Sequence, residues 1–443
     1  MSQTSSASSR HRQCNKSQTF RPARNSLCDL LRRHARIPLF RPPVHWTDMH
    51  WQLLGAHFQE LPPCDTPSPQ NIPGTPPSKG HLLPSKAITT LSHALTEILH
   101  PDDACADLYS NATRKSSSAV QTVLSTLWPA IFGQPILFPQ LHIFFGGRPC
   151  PNPVHMQLMW HYPDDNVQSS QSSFRSISTR PAESNGLFSG SAPAAHNPTG
   201  FPMICYIGQD QLATMRRSVF RIRPGSERCR NEPVSRLFFL RSKAVMPANL
   251  HHDAYLVAIF LAMAQRHFYD APVPSSCGDS RWSTWVGKSH RRAFEDLKLR
   301  ILTHDSDMEH FIIYTGHITS KFLDRFHDPS TTPTSDEIKD EGENDPLGIR
   351  IEYTKVPIWP ILGLKERLGK GLGEEVVGQF NPSEMETWDT DSEDDAPRNT
   401  KRKREALGDM FRFEEETEDD EQESSLKPKR QRLQEGPPIG VGA

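Results

Sequence analysis

The sequence predicts an α+β fold: one mixed core domain in which N-terminal helices precede a mostly antiparallel sheet with packed helices. Three observations lead there. Two runs of helical apolar spacing, near residues 85–100 and 118–128, come before the first strand-like segment. From residue 135 onward apolar stretches of strand length recur without the regular helix between each pair that a βαβ succession requires. Apolar residues, 35% of the 443, gather in the middle of the chain, which argues for a single core with unstructured ends.

The elements follow in order. Residues 1–84 form a basic, proline-rich head and linker expected to be disordered. Its first fifty residues hold nine Lys or Arg against only Asp29 and Asp48. Between Leu61 and Pro84 eight prolines exclude regular helix or sheet, because each fixes φ and removes a donor. The core is expected over 85–375. Ser85 caps a helix in which Ile88, Leu91, Leu95, Ile98 and Leu99 share a face until His100-Pro101 ends it. A second helix runs from Ser118, with Val120, Val123, Leu124, Leu127 and Trp128 on one side and Pro129 as its stop.

Leu141–Phe145 and Val154–Tyr162, joined through Gly146-Gly147 and a proline-rich turn, read as the two strands of a long-looped hairpin. Residues 163–200 are too poor in large apolar side chains to offset the entropy of ordering, so a disordered insertion is expected. Further strands are expected at 201–207, 235–241, 297–303, 311–318 and 349–356. Between them a helix over 253–268 is apolar nearly all round and therefore buried. The polar run from His304 to Glu309 reads as a hairpin loop, and Thr319 or Ser320 caps a short helix through Phe326. An acidic break at 329–346 interrupts the core. The apolar block from Val356 to Leu364 reads as the last strand and helix closing it.

The tail, residues 376–443, is expected to be disordered. From residue 384 it carries 18 acidic and 10 basic residues, so a chain of net charge −2 has a positive body and a negative end. Within the tail stand two dense cationic clusters, Lys401-Arg402-Lys403-Arg404 and Lys427, Lys429, Arg430 and Arg432. Short Lys/Arg clusters in an extended segment are the form that nuclear-import receptors read, so a nuclear address and an import receptor as partner are expected. The cytoplasm is the alternative. The Arg- and Ser-rich start also imitates a mitochondrial transit peptide, but the tail clusters argue against that destination. No apolar h-region or stretch long enough to cross a bilayer is evident. Eight scattered cysteines without a C-x-x-C pair fit reduced thiols.

No cofactor or metal signature stands out. Three other chemistries are weighed against that background. Asp279 with Asp296 and Lys298 matches the degenerate carboxylate-carboxylate-lysine pattern by which metal-dependent nucleases hold an ion, and period 2 puts Asp296 and Lys298 on one strand face. Arg216, Arg217, Arg221, Arg223, Arg228 and Arg230 fall within fifteen residues and form a candidate polyanion-binding segment, leaving nucleic acid possible as a partner. His142, His155, His161 and Cys150 have zinc-binding chemistry, but their spacing matches no standard finger. Ser392 and Thr417 precede acidic residues, and Thr66, Ser68 and Thr75 precede prolines, so these five are candidate phosphorylation sites. Phosphates on Ser392 and Thr417 would deepen the negative tail and favour its contact with the arginine-rich segment. The reading that results is a non-catalytic nuclear protein, regulatory or scaffolding, that binds other macromolecules.

Overall fold

The computed structural model describes residues 21–65, 85–99, 108–163, 197–220, 232–269, 292–305, 309–332 and 348–382. The chain opens with α1 (Leu27–Arg33), a tight turn at Pro43–His45, α2 (Asp48–Leu53) and β1 (Ala56–Glu60). Two packed helices follow, α3 (Lys86–Leu99) and α4 (Leu108–Leu127), then the short α5 (Pro129–Phe132). Next come β2 (Ile136–Leu137), β3 (Gln140–Leu141), β4 (Phe144–Phe145), β5 (Arg148–Pro149), β6 (Val154–His155), β7 (Leu158–His161) and β8 (Pro202–Tyr206). Helices α6 (Gln209–Val219), α7 (Glu232–Ala244) and α8 (Ala254–Arg266) precede the paired strands β9 (Leu297–His304) and β10 (His310–Ile318). The last elements are α9 (Ser320–His327), β11 (Ile349–Pro357), α10 (Leu364–Leu372) and α11 (Glu374–Val377).

The fold is α+β. Seven strands form a mixed sheet in the order β1-β11-β10-β9-β8-β7-β2. Only β1–β11 and β8–β9 pair in parallel; the other four pairings are antiparallel. Because side chains alternate across a strand, each strand feeds two cores. On β10, Phe311 and Ile313 face a cluster with α3, α4 and α10, while Ile312 and Tyr314 face one built around α8. Helices therefore cover both faces of the sheet.

Helix α8 is buried from Ala254 to Gln265. One side lies on the sheet so closely that a Cβ on Gly316 of β10 would stand 2.7 Å from the Phe260 ring. Its other side is covered by α2, the Pro43–His45 turn and the β3–β6 ribbon. Asp253 caps it, accepting from the Tyr255 amide at 2.7 Å. The same carboxylate accepts two hydrogen bonds from Arg216 of α6, at 2.7 and 2.5 Å, and Arg216 also donates to the Trp46 carbonyl at 3.4 Å. At the far end Gln265 accepts from the Phe144 amide at 2.7 Å and donates to the Phe144 carbonyl at 2.9 Å, which fixes β4.

Five expectations need correction. The head is ordered where it is described: Leu27, Trp46 and Ala56 join the core around α8, and β1 pairs with β11. Charge density concealed a small set of apolar residues placed to cover α8. Residues 235–241 lie in helix α7, not in a strand; Pro233 is tolerated in a first helical turn, and a short apolar run such as Leu237–Leu240 fits either period. The long-looped hairpin is split, because Gly146 and Gly147 at φ of 62 and 72° allow a tight local turn. That turn pairs β4 with β5, β3 pairs with β6, and β7 leaves for the main sheet. The second helix starts ten residues early, at Leu108. Its polar first half is held by Gln157, whose amide nitrogen reaches the Thr113 carbonyl and the Ser116 and Ser117 hydroxyls at 3.1–3.2 Å.

The core also continues past residue 375, since Val376 and Val377 are buried. The stretches 164–196, 333–347 and 383–443 lie outside the described residues. Among the described residues no helix is long and apolar enough to cross a membrane.

Two expected outcomes follow from this packing. Replacing Arg216 by Ala leaves Asp253 buried beside no cation, and urea denaturation is expected to register a loss of about 3–5 kcal/mol. A loss below about 1 kcal/mol, the value of an exposed pair, would show that the pair does not hold α6 to α8. The second outcome concerns pH. Burial lowers the pKa of nine described histidines, His45, His50, His142, His155, His161, His251, His252, His304 and His317, from 6.5. The unfolded chain then binds more protons than the folded one below pH 6.5, so their contribution is fully present above that value and is lost as pH falls through the depressed values. The urea midpoint should therefore drop between pH 7 and pH 5; a flat midpoint would contradict the burial of these rings.

Candidate functional site

The head lays α1 and the bent segment Leu39–Pro43 over the β4–β5 turn and α9, and the gap between them is a cleft of 440 Å³. Its local structure is legible residue by residue. Ser26 caps α1, its hydroxyl accepting from the Asp29 amide at 3.2 Å, so that Leu27, Leu30 and Leu31 turn towards the cleft. Main-chain bonds pin this helix to the segment after α9: the Cys28 amide donates to the Pro329 carbonyl at 2.8 Å and the Ala23 amide to the Ser330 carbonyl at 2.9 Å. The Trp46 indole donates to the Arg41 carbonyl at 3.0 Å, closing the bend that carries Pro42 and Pro43. Opposite, the Gly146 amide donates to the Phe326 carbonyl at 2.8 Å, and Arg325 donates to the Leu54 carbonyl at 3.2 Å. Both walls are thus tied to α9.

The lining is mostly leucine, proline and aromatic, with His50, Arg41, Asn152 and Cys150 as its polar groups. His50 is buried; its Nδ1 accepts from the Thr47 amide at 3.0 Å, which places the proton of the neutral ring on Nε2. Burial lowers its pKa, so it carries no charge at neutral pH. Burial also pushes the Cys150 thiol up to about 11. Charge is confined to the rim, where Arg41 is exposed and has no ion-pair partner among the described residues. Phe40, 61% exposed, and Ile37, 39% exposed, extend the apolar surface out of the cleft. A second cavity of 470 Å³ shares Pro42, Pro43 and Asn152 with the first, but is lined by His45, His155, Gln157 and Tyr255 among others and is more polar. A concave, apolar site with few polar groups is the usual form of a binding pocket.

The residues singled out in the sequence fall elsewhere. Arg216 is buried in its pair with Asp253 and is not available to a polyanion, whereas Arg217 on the same helix is exposed. Burial selects between them, since only one side of α6 faces α8. Arg221, Arg223, Arg228 and Arg230 lie outside the described residues. Asp296 accepts from the Ser320 amide at 2.7 Å, at the start of α9. Lys298 pairs with Glu375 at 2.5 Å, and Arg300 joins the same carboxylate. Burial pushes the Glu375 carboxyl up, but these cations and its own backbone amide outweigh that and hold it at about 2. Asp279 lies outside the described residues. Among the described residues no group of three or more His, Cys, Asp or Glu is placed to hold a metal ion. The import-like clusters and the five phosphorylation candidates also lie outside the described residues.

Sequence reading missed the cleft because its walls come from the head. The signal was there: Ser26 followed by Leu27, Leu30 and Leu31 is a capped helical pattern, and Trp46 and Trp51 are costly residues for an unstructured segment. No protein-family model matches the chain, and no curated protein matches it closely.

Alkylation tests the cleft wall directly. A thiol held at about 11 is ionised on the order of one part in 10⁴ at pH 7, so iodoacetamide should modify Cys150 at least about a hundredfold more slowly in the folded than in the urea-unfolded chain. Peptide mapping by mass spectrometry reads the rate, and equal rates in both states would place Cys150 in water.

Proposed function

We propose that this chain is a non-catalytic protein that binds other macromolecules in the nucleus, and that the cleft under α1 is where it holds a partner. The observation that carries the docking reading is the apolar 440 Å³ cleft continued outward by exposed Phe40 and Ile37. Large apolar side chains left in water beside a deep apolar recess are what partner anchors bury, and such anchors supply most of the energy of an interface. The nuclear half of the proposal rests on the cationic clusters at 401–404 and 427–432, which suit an import receptor.

One pair of variants tests both halves in cells carrying a fluorescent fusion. Alanine at Lys401–Arg404 and at Lys427, Lys429, Arg430 and Arg432 together is expected to move the fusion from nucleus to cytoplasm. Phe40→Asp is expected to leave it nuclear, with unchanged thermal stability, while crosslinked partners held by the original chain are lost. An unchanged distribution in the first variant would end the nuclear reading. An identical set of partners in the second would end the docking reading.

A further inference from the structure

We infer that the cleft takes an acidic amphipathic helix of a protein partner, whose apolar side chains fill the recess and whose carboxylates meet Arg41 at its rim and the exposed arginines of the same segment. The inference rests on the reading of the cleft as a docking site and adds the chemistry of what docks. Shape comes first. Phe40 lines the recess yet is 61% exposed, and Ile37, 39% exposed, lies three residues before it; a helix presents side chains at i, i+3, i+4 and i+7 to such an apolar surface. A compact small molecule held in the recess would leave Ile37, outside its lining, in water.

Charge comes second. Residues 21–50 hold six arginines against Asp29 and Asp48. Both carboxylates are engaged: Asp29 with Arg33 at 2.5 Å and with the Asn25 amide, Asp48 with the Ala248 amide at 3.1 Å. Arg24, Arg32, Arg36 and Arg41 are exposed, and none has an ion pair among the described residues. Of these Arg41 alone lines the recess, so the uncharged recess has one free cation at its rim and others along the same segment, and the complement is an apolar face edged with Asp or Glu. Nucleic acid fits the arginines but has no aliphatic groups for a recess lined by Leu27, Leu30, Leu31 and Phe326. An anionic membrane fits the charge but meets a concave surface that cannot insert into it.

The test uses the full chain and a labelled synthetic peptide with Leu and Phe at helical spacing and Glu at most other positions. Two control peptides carry Lys for Glu, or Ala for Leu and Phe. Fluorescence anisotropy is expected to show saturable binding of the first peptide only. Phe40→Asp should weaken it about tenfold or more, and Arg41→Glu should weaken it several-fold at low salt and less at high salt. Both positions are exposed, and circular dichroism with thermal melting identifies a variant that fails to fold; Ile37→Asp then takes its place. Equal binding of the Lys peptide, or affinities unchanged in every folded variant, would overturn the inference. So would Arg41-dependent binding of anionic vesicles or a single-stranded oligonucleotide in place of the peptide. If the acidic peptide fails while Phe40→Asp still loses its cellular partners, the acidic helix is wrong and the docking site stands. If both fail, the docking reading falls too.

Discussion

The half of this structure that forms the cleft follows from the need to bury helix α8 on all sides. Thirteen residues with almost no polar side chain cannot be half exposed, and a sheet covers only one side of a helix. The second cover comes from chain segments that look unpromising by themselves: α2, the Pro43–His45 turn and the short β3–β6 ribbon. None of these would be stable alone, since each is only a few residues long. They are ordered because α8 gives them an apolar surface to lie on.

The polar residues of α8 decide where the cover sits. Asp253 at one end draws in Arg216 of α6, and Arg216 reaches the Trp46 carbonyl, so helix, helix and head meet at one buried ion pair. Tyr255 both donates to and accepts from the backbone of His155, at 3.1 and 2.9 Å, and Gln265 does the same at Phe144. Buried polar groups must be hydrogen-bonded, so these contacts fix position more than they add stability. The head is held at the Trp46 bend, at the join of α1 to the segment after α9, and where β1 pairs with β11. Between the first two supports the cover does not close, and that opening is the cleft.

Much of the interior was readable in advance. The strands at 202–206, 297–304, 310–318 and 349–357 and the helices at 86–99, 254–266 and 320–327 all lie within a few residues of their expected places. They were readable because each carries its own period: Ser85 and Thr319 accept the capping hydrogen bonds expected of them, and Asp253 caps α8 in the same way. Helix α7 was misread because four adjacent apolar residues carry no period. The first half of α4 was missed because its partner, Gln157, lies some forty residues away.

By itself, then, the sequence determined the fold class, the four central strands β8 to β11 and the buried nature of α8, because local periodicity and capping are encoded within a dozen residues. Only the tertiary structure decided that the basic head belongs to the core, that Arg216 turns inward while Arg217 turns outward, and that Asp296 and Lys298 spend their charges on the start of α9 and on Glu375. Each of those outcomes depends on a surface contributed by a distant segment. The cleft is the extreme case: Leu27, Cys150 and Phe326 come from three parts of the chain, and nothing in any one of them specifies the space they enclose.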